Sequence, residues 1–133
     1  MSEEALQTRC QIFRILLKYN LPGLCDHMEL EGVTVKMFYF EWILTLYSKV
    51  LSQDVASRVW DLYFLDGHEI LFTTGLAILK ILFSELISED LGGIMMNLSQ
   101  TSSFVSDGDI LVREIADIEI PGWMRDEIDR LVI

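Results

Sequence analysis

Two stretches of this 133-residue chain are apolar round almost the whole circumference of a helix. The first carries Val35, Met37, Phe38, Tyr39, Phe40, Trp42, Ile43, Leu44, Leu46, Tyr47 and Val50. The second runs from Ile70 to Phe83 and is broken only by Thr73, Thr74, Gly75 and Lys80. A helix with no polar face has to be enclosed by other elements. Neither stretch alternates polar and apolar residues as a half-buried strand would. The constraint is therefore an all-α domain assembled around two central helices. The Ile70–Phe83 stretch is too short and too interrupted to span a bilayer, so no membrane insertion is expected.

The remaining punctuation is helical as well. Leu6, Cys10, Phe13, Leu16 and Leu17 make one stripe over residues 3–19, with Arg9, Arg14 and Lys18 assigned elsewhere on the helix. Pro22 suits the first turn of a short second helix that Gly32 ends. Thr34 is the expected N-cap of a helix to Leu51, and Ser52 of one over 53–65. Gly67 suits the left-handed turn that closes the latter. Asp66 and Glu69 have capping-box spacing and would open a long helix over 69–87. Ser88 starts a helix over 89–98, residues 100–103 read as a loop, and Ser106 caps a helix over 107–118. Pro121 opens a last helix with Trp123, Met124, Ile128 and Leu131. The total is seven or eight helices in one domain over residues 1–133.

Composition narrows the function classes. Apolar residues make up 51% of the chain, enough for a large core and for apolar surface that a partner covers. Ten basic residues against 21 acidic ones give a net charge of −11. Phosphate-driven nucleic-acid binding needs the opposite sign. Cys10 and Cys25 are too few for a disulfide scaffold and read as buried thiols. The N-terminal residues lack the basic start and apolar run of a signal peptide, so the expected location is cytoplasmic.

Chemical motifs are sparse. Cys25-Asp26-His27 sets a thiol near an imidazole, but the two side chains diverge by about 200° on a helix. No serine stands in the strand-turn-helix elbow of a hydrolase. Asp107-Gly108-Asp109 is followed by Ile110, Leu111 and Val112 where a calcium loop needs oxygen ligands. Acids favoured at a helix N-terminus account for that pair better. Gly92-Gly93 has no Lys-Ser/Thr after it, so no phosphate loop is present. No metal and no cofactor is called for. The aromatics Phe38, Tyr39, Phe40, Trp42 and Tyr47 read as core rather than as a ligand cage.

One pattern is more specific. Phe40-Glu41-Trp42-Ile43-Leu44-Thr45-Leu46-Tyr47 precedes a polar turn. Val55-Ala56-Ser57-Arg58-Val59-Trp60-Asp61 follows, then Gly67, then Ile70-Leu71-Phe72 leading into an apolar helix. Upstream stand Phe13, Leu16, Leu17, Leu21, Pro22, Leu24, His27 and Met28. From Phe13 to Ile87 the chain resembles the C-terminal half of a TBC domain, the Rab GTPase-activating fold. The resemblance implies structural roles for Trp42, Arg58, Trp60, Asp61 and Gly67. Trp60 would anchor its helix against the Trp42 helix. Arg58 and Asp61, three residues apart, are close enough to pair. It also implies a Rab-type small GTPase as partner and work in membrane trafficking, in the cytoplasm and at the periphery of endomembranes.

The resemblance stops short of the catalytic motifs. The family's arginine finger lies in Ile-x-x-Asp-x-x-Arg and its glutamine finger in Tyr-x-Gln, both in the first half of the domain. None of Arg9, Arg14, Arg58, Arg113, Arg125 and Arg130 has an aspartate three residues before it. Tyr19, Tyr39, Tyr47 and Tyr63 are followed two residues on by Leu21, Glu41, Lys49 and Leu65. The expectation is a fragment without catalytic residues of its own, packed against a missing N-terminal half. Two alternatives stay open: a stand-alone, finger-less interaction module that binds a small GTPase or scaffold, and an unrelated helical adaptor.

Overall fold

A computed structural model describes residues 2–131. Among these the secondary structure is entirely helical: α1 (Glu3–Asn20), α2 (Pro22–Leu30), α3 (Lys36–Leu44), α4 (Gln53–Asp66), α5 (Glu69–Ile81), α6 (Phe83–Leu86), α7 (Leu91–Ser99), α8 (Thr101–Phe104), α9 (Gly108–Asp117) and α10 (Gly122–Asp129).

The axis of the assembly is α5. Every residue from Ile70 to Leu79 is buried, as its lack of a polar face requires. Helices α1, α3, α4 and α9 pack directly on it. Each fully enclosed leucine or isoleucine along it stabilises the fold by about 2 kcal/mol. The other expected central helix behaves differently. It stops at Leu44, and Met37 and Leu44 remain 45% and 55% exposed. Its inner face holds Phe38, Tyr39, Trp42 and Ile43. Tyr39 stacks on Phe13 of α1 at 4.0 Å between ring centroids, and Phe38 meets Trp42 edge-on at 4.9 Å.

The chain leaves α3 through a strained turn. Leu46 and Tyr47 have φ of +49° and +64°, although neither is glycine. Packing holds them there. Tyr47 is fully buried, its backbone N–H donates to the Trp42 carbonyl at 2.7 Å, and its hydroxyl donates to the carbonyl of Leu71 in α5. The Tyr39 hydroxyl donates to the same carbonyl at 2.9 Å. Burial pushes both phenols well above their ordinary range, so both keep the protons these bonds need.

Several expected boundaries move. The helix after Gly67 breaks at Leu82 (φ −85°, ψ 5°) into α5 and the single turn α6. Of residues 100–103, expected as loop, 101–103 belong to the short helix α8. Asp66 does not cap α5: it is the last residue of α4, and the N-cap position of α5, His68, makes no side-chain cap bond. Thr34 makes no cap bond to α3. Asp90 and Asp107 cap α7 and α9 where Ser88 and Ser106 were expected. In each pair the aspartate is nearer the first helical turn, and a carboxylate there also meets the positive end of the helix dipole. Ser2 and Ser52 do cap α1 and α4. Arg9, expected off the apolar stripe of α1, lies on its buried face with Nη1 donating to the Ala5 carbonyl at 3.1 Å.

The last third of the chain is tied to the first two by polar contacts. The Asn20 amide reads both backbone groups of Glu119, donating to its carbonyl at 2.9 Å and accepting its N–H at 3.0 Å. Arg125 pairs with Glu69 at 2.7 Å, and Lys80 with Glu114 at 2.9 Å. The Asn97 amide donates to the Glu85 carbonyl at 2.6 Å, and His27 Nε2 to the Glu89 carbonyl at 2.7 Å.

Candidate functional site

The five residues singled out from the sequence lie along one path: α3, the strained turn, α4, and the Gly67 corner into α5. Trp42 is buried inside the aromatic cluster, with Tyr47 5.9 Å away between ring centroids. It supports the turn from below and does not reach solvent. Trp60 sits half-buried on α4 and donates its indole N–H to the Leu46 carbonyl at 2.8 Å. Trp60 therefore anchors α4 to the residues just past α3, close to the expected contact. Gly67 ends α4 with φ +83° and ψ −153°, a conformation almost confined to glycine. Its φ is positive as expected, whereas its ψ is extended rather than left-handed helical.

The expected Arg58–Asp61 pair does not form. Arg58 reaches across 51 residues of sequence to Asp109, with Nη2 at 2.9 Å from the carboxylate. Its guanidinium lies against Gly108, where a Cβ would stand 3.1 Å from Nη1. The physical reason is position: Asp109 is held in the first turn of α9, which packs on both α4 and α5. Asp61 is left exposed on α4.

Sequence reasoning missed what surrounds Trp60. Leu46, Trp60, Tyr63 and Phe64 line an open groove of about 350 Å³. Phe64 is 84% exposed and Leu65 80%, although both are large and apolar. Leu46 is exposed as well. A signal was available. Residues 62–65 are all apolar at the end of an otherwise one-faced helix, and four consecutive apolar residues cannot all face inward.

The remaining candidates carry no chemistry in this arrangement. Cys25 is buried and its thiol donates to Glu29 Oε1 at 3.3 Å, while Asp26 pairs with Lys18 and His27 points to Glu89. Burial pushes the Cys25 thiol up to about 11 and the Cys10 thiol likewise to about 11. A protonated thiol is a poor nucleophile and a poor metal ligand. Among the described residues no three His, Cys, Asp or Glu side chains gather as a metal site would need. Asp107 accepts from the backbone N–H of Asp109 and Ile110, a cap rather than a calcium ligand.

Comparison with known proteins agrees with that architecture. The family model of the Rab-GTPase-TBC domain matches residues 1–87, which takes in α1 to α6 and all five motif residues. TBC1 domain family member 14 of Rattus norvegicus is 42% identical over 76 residues, 57% of this chain and 11% of the relative. TBC1 domain family member 12 of Xenopus tropicalis is 41% identical over 78 residues, 59% of this chain and 11% of the relative. Drainin of Dictyostelium discoideum is 42% identical over 66 residues, 50% of this chain and 15% of the relative. The matched part is thus about a tenth of the length of the TBC1 relatives. With the family model covering well over half of its residues, the chain belongs to the Rab-GTPase-TBC domain family.

Proposed function

We propose that this chain is the supporting, non-catalytic half of a TBC-type Rab activator, completed by another polypeptide segment that carries the arginine and glutamine fingers. Residues 1–133 act as one domain in this reading. Trp42, Trp60 and Gly67 hold the α3–α4–α5 corner in shape, Arg58 ties it to α9, and Asp61 faces outward beside the groove.

The observation that carries the reading is the engagement of the arginines. A GTPase activator places a guanidinium over the charge that develops on the transferred phosphoryl group. Here Arg14, Arg58, Arg125 and Arg130 pair with Glu29, Asp109, Glu69 and Glu127. Arg9 is buried in α1, and Arg113 turns Nε onto the Asp109 carbonyl at 3.5 Å. None of the six stands in the finger pattern.

The partner proposed is a Rab-type small GTPase, by family membership. The chain works in the cytoplasm at endomembrane surfaces, where that partner resides. Among the described residues no helix is long and apolar enough to cross a membrane. The test is GTP hydrolysis by a panel of Rab proteins, followed by phosphate release with this chain alone. The expected result is no acceleration of hydrolysis by this chain alone. Acceleration that disappears when one of the six arginines becomes alanine overturns the reading. The exposed groove favours a second reading, a stand-alone interaction module. That reading gains if a chain joined to finger-bearing TBC sequence binds its Rab but still fails to accelerate hydrolysis.

A further inference from the structure

The groove beside Trp60 is lined by Leu46, Trp60, Tyr63 and Phe64, and Leu65, next along α4, is exposed. We propose that it is a docking site for a basic amphipathic helix of another polypeptide. This builds on the reading that a second segment completes the domain, and it names the chemistry of that segment.

Charge selects the occupant. Arg58 is engaged by Asp109 and Lys49 by Glu41, so the nearby cations are neutralised. The carboxylate of Asp61 is exposed and enters no ion pair, whereas Asp66 lines a separate pocket with Glu69 and Arg125 on the other face of α4. Asp61 lies three and four residues before Phe64 and Leu65, which puts it beside them on the helix surface. The end of α4 adds to the same sign. Its last turn holds no basic residue and closes on Asp66, opposite to what the negative end of a helix dipole favours. Lysine or arginine flanking an apolar anchor would relieve both features. A second copy of this chain, at net −11, brings the wrong charge. An anionic lipid surface does so too.

Geometry selects a helix. The two sides of the groove are tied together by the Trp60–Leu46 hydrogen bond. One wall is the end of α4, and the other is the turn after α3. Two large apolar side chains one helical turn apart fit such an open trough, with their charged neighbours at the rim.

The test uses the whole chain and two synthetic helices of about 15 residues. Both carry leucines on one face; one carries lysines elsewhere and the other glutamates. Binding is followed by the shift of the Trp60 indole N–H signal in NMR titrations. The lysine helix is expected to bind and move that signal. Phe64→Ser should weaken it about tenfold, and Asp61→Lys should weaken it similarly and shift preference to the glutamate helix. Both positions are exposed, and circular dichroism checks that the variants stay folded. Several results overturn the proposal: equal affinity for both helices, no binding, binding unaffected by Phe64→Ser, or dimers in sedimentation that Phe64→Ser dissolves. None of these readouts involves GTP hydrolysis, so failure here is separable from failure of the Rab reading.

Discussion

Phe13 of α1 presses its ring against the backbone of Gly75 in α5: a Cβ built on Gly75 would stand 2.6 Å from Phe13 Cε1 and 2.9 Å from the Tyr47 hydroxyl oxygen. Both neighbours are fully buried and have nowhere to go. Alanine in place of a mid-helix glycine ordinarily gains about 1 kcal/mol. Overpacking a closed core costs about 1–3 kcal/mol, and displacing Tyr47 also disturbs its bond to Leu71. Gly75→Ala is therefore expected to destabilise the chain by about 1–2 kcal/mol net. Chemical denaturation measures the sign directly. A more stable variant would show that α1 can move away from α5.

The Trp60–Leu46 bond makes a second prediction. Trp60→Phe keeps an aromatic ring on α4 but removes the donor, leaving the Leu46 carbonyl to water. The site is half exposed, so the loss should be about 1 kcal/mol, the net value of one hydrogen bond. Removing the ring as well, with Trp60→Ala, should cost clearly more. Denaturation curves for the two variants separate the hydrogen bond from the packing. Equal losses would mean that the indole N–H contributes nothing.

How far the residues announced this structure depends on the range of the interactions. The embedded character of α5 was legible because ten successive residues leave no polar face. The Gly67 corner was legible because a glycine at a helix end suits a positive φ, and the Trp60 anchor because a large aromatic on a short helix has to pack on a neighbour. The end of α3 was not. Leu46 and Tyr47 adopt positive φ without glycine or asparagine, under tertiary constraint from Leu71 in α5 and Trp60 in α4. Local propensity carries no trace of such a constraint. The partner of Arg58 was missed for a similar reason. Spacing offered Asp61 three residues away, whereas folding brought Asp109 from 51 residues away. The groove at Phe64 was not legible because only the fold brings Leu46, from the turn after α3, beside the end of α4.

The two cysteines predict a pH dependence. Burial raises each thiol from an ordinary 9.0 to about 11. An acid whose proton is held more tightly in the folded state binds more protons there than in the unfolded chain over that interval. Stability is therefore unaffected by the thiols below pH 9 and falls as pH rises from about 9 to 11. Replacing both by alanine should flatten that part of the profile, measured as denaturation midpoint against pH. The same burial predicts slow alkylation by iodoacetamide at pH 8, with fast reaction only after unfolding. Rapid labelling of Cys25 itself in the folded chain, located by peptide mass, would contradict its burial, whereas Cys10 is only partly buried.

The Asn20–Glu119 clamp joins residues 99 positions apart and holds the end of α9 against α1. Asparagine is the residue that can do this: one planar amide presents a donor and an acceptor side by side, matched to the carbonyl and N–H of a single backbone residue. Aspartate keeps the acceptor and sets a like charge against the Glu119 carbonyl. Alanine loses both bonds. Asn20→Ala is expected to cost about 1–2 kcal/mol. Because Glu119 lies outside the family-matching residues 1–87, the effect should be uneven. Amide hydrogen exchange should quicken across residues 117–129 while the core of α5 keeps its protection. Asn20→Asp should loosen the same segment, and more so at neutral pH than near pH 4, where the carboxyl regains its proton. Uniform acceleration through α5 would instead mean that the last third of the chain unfolds together with the rest, with the clamp as one contact among many.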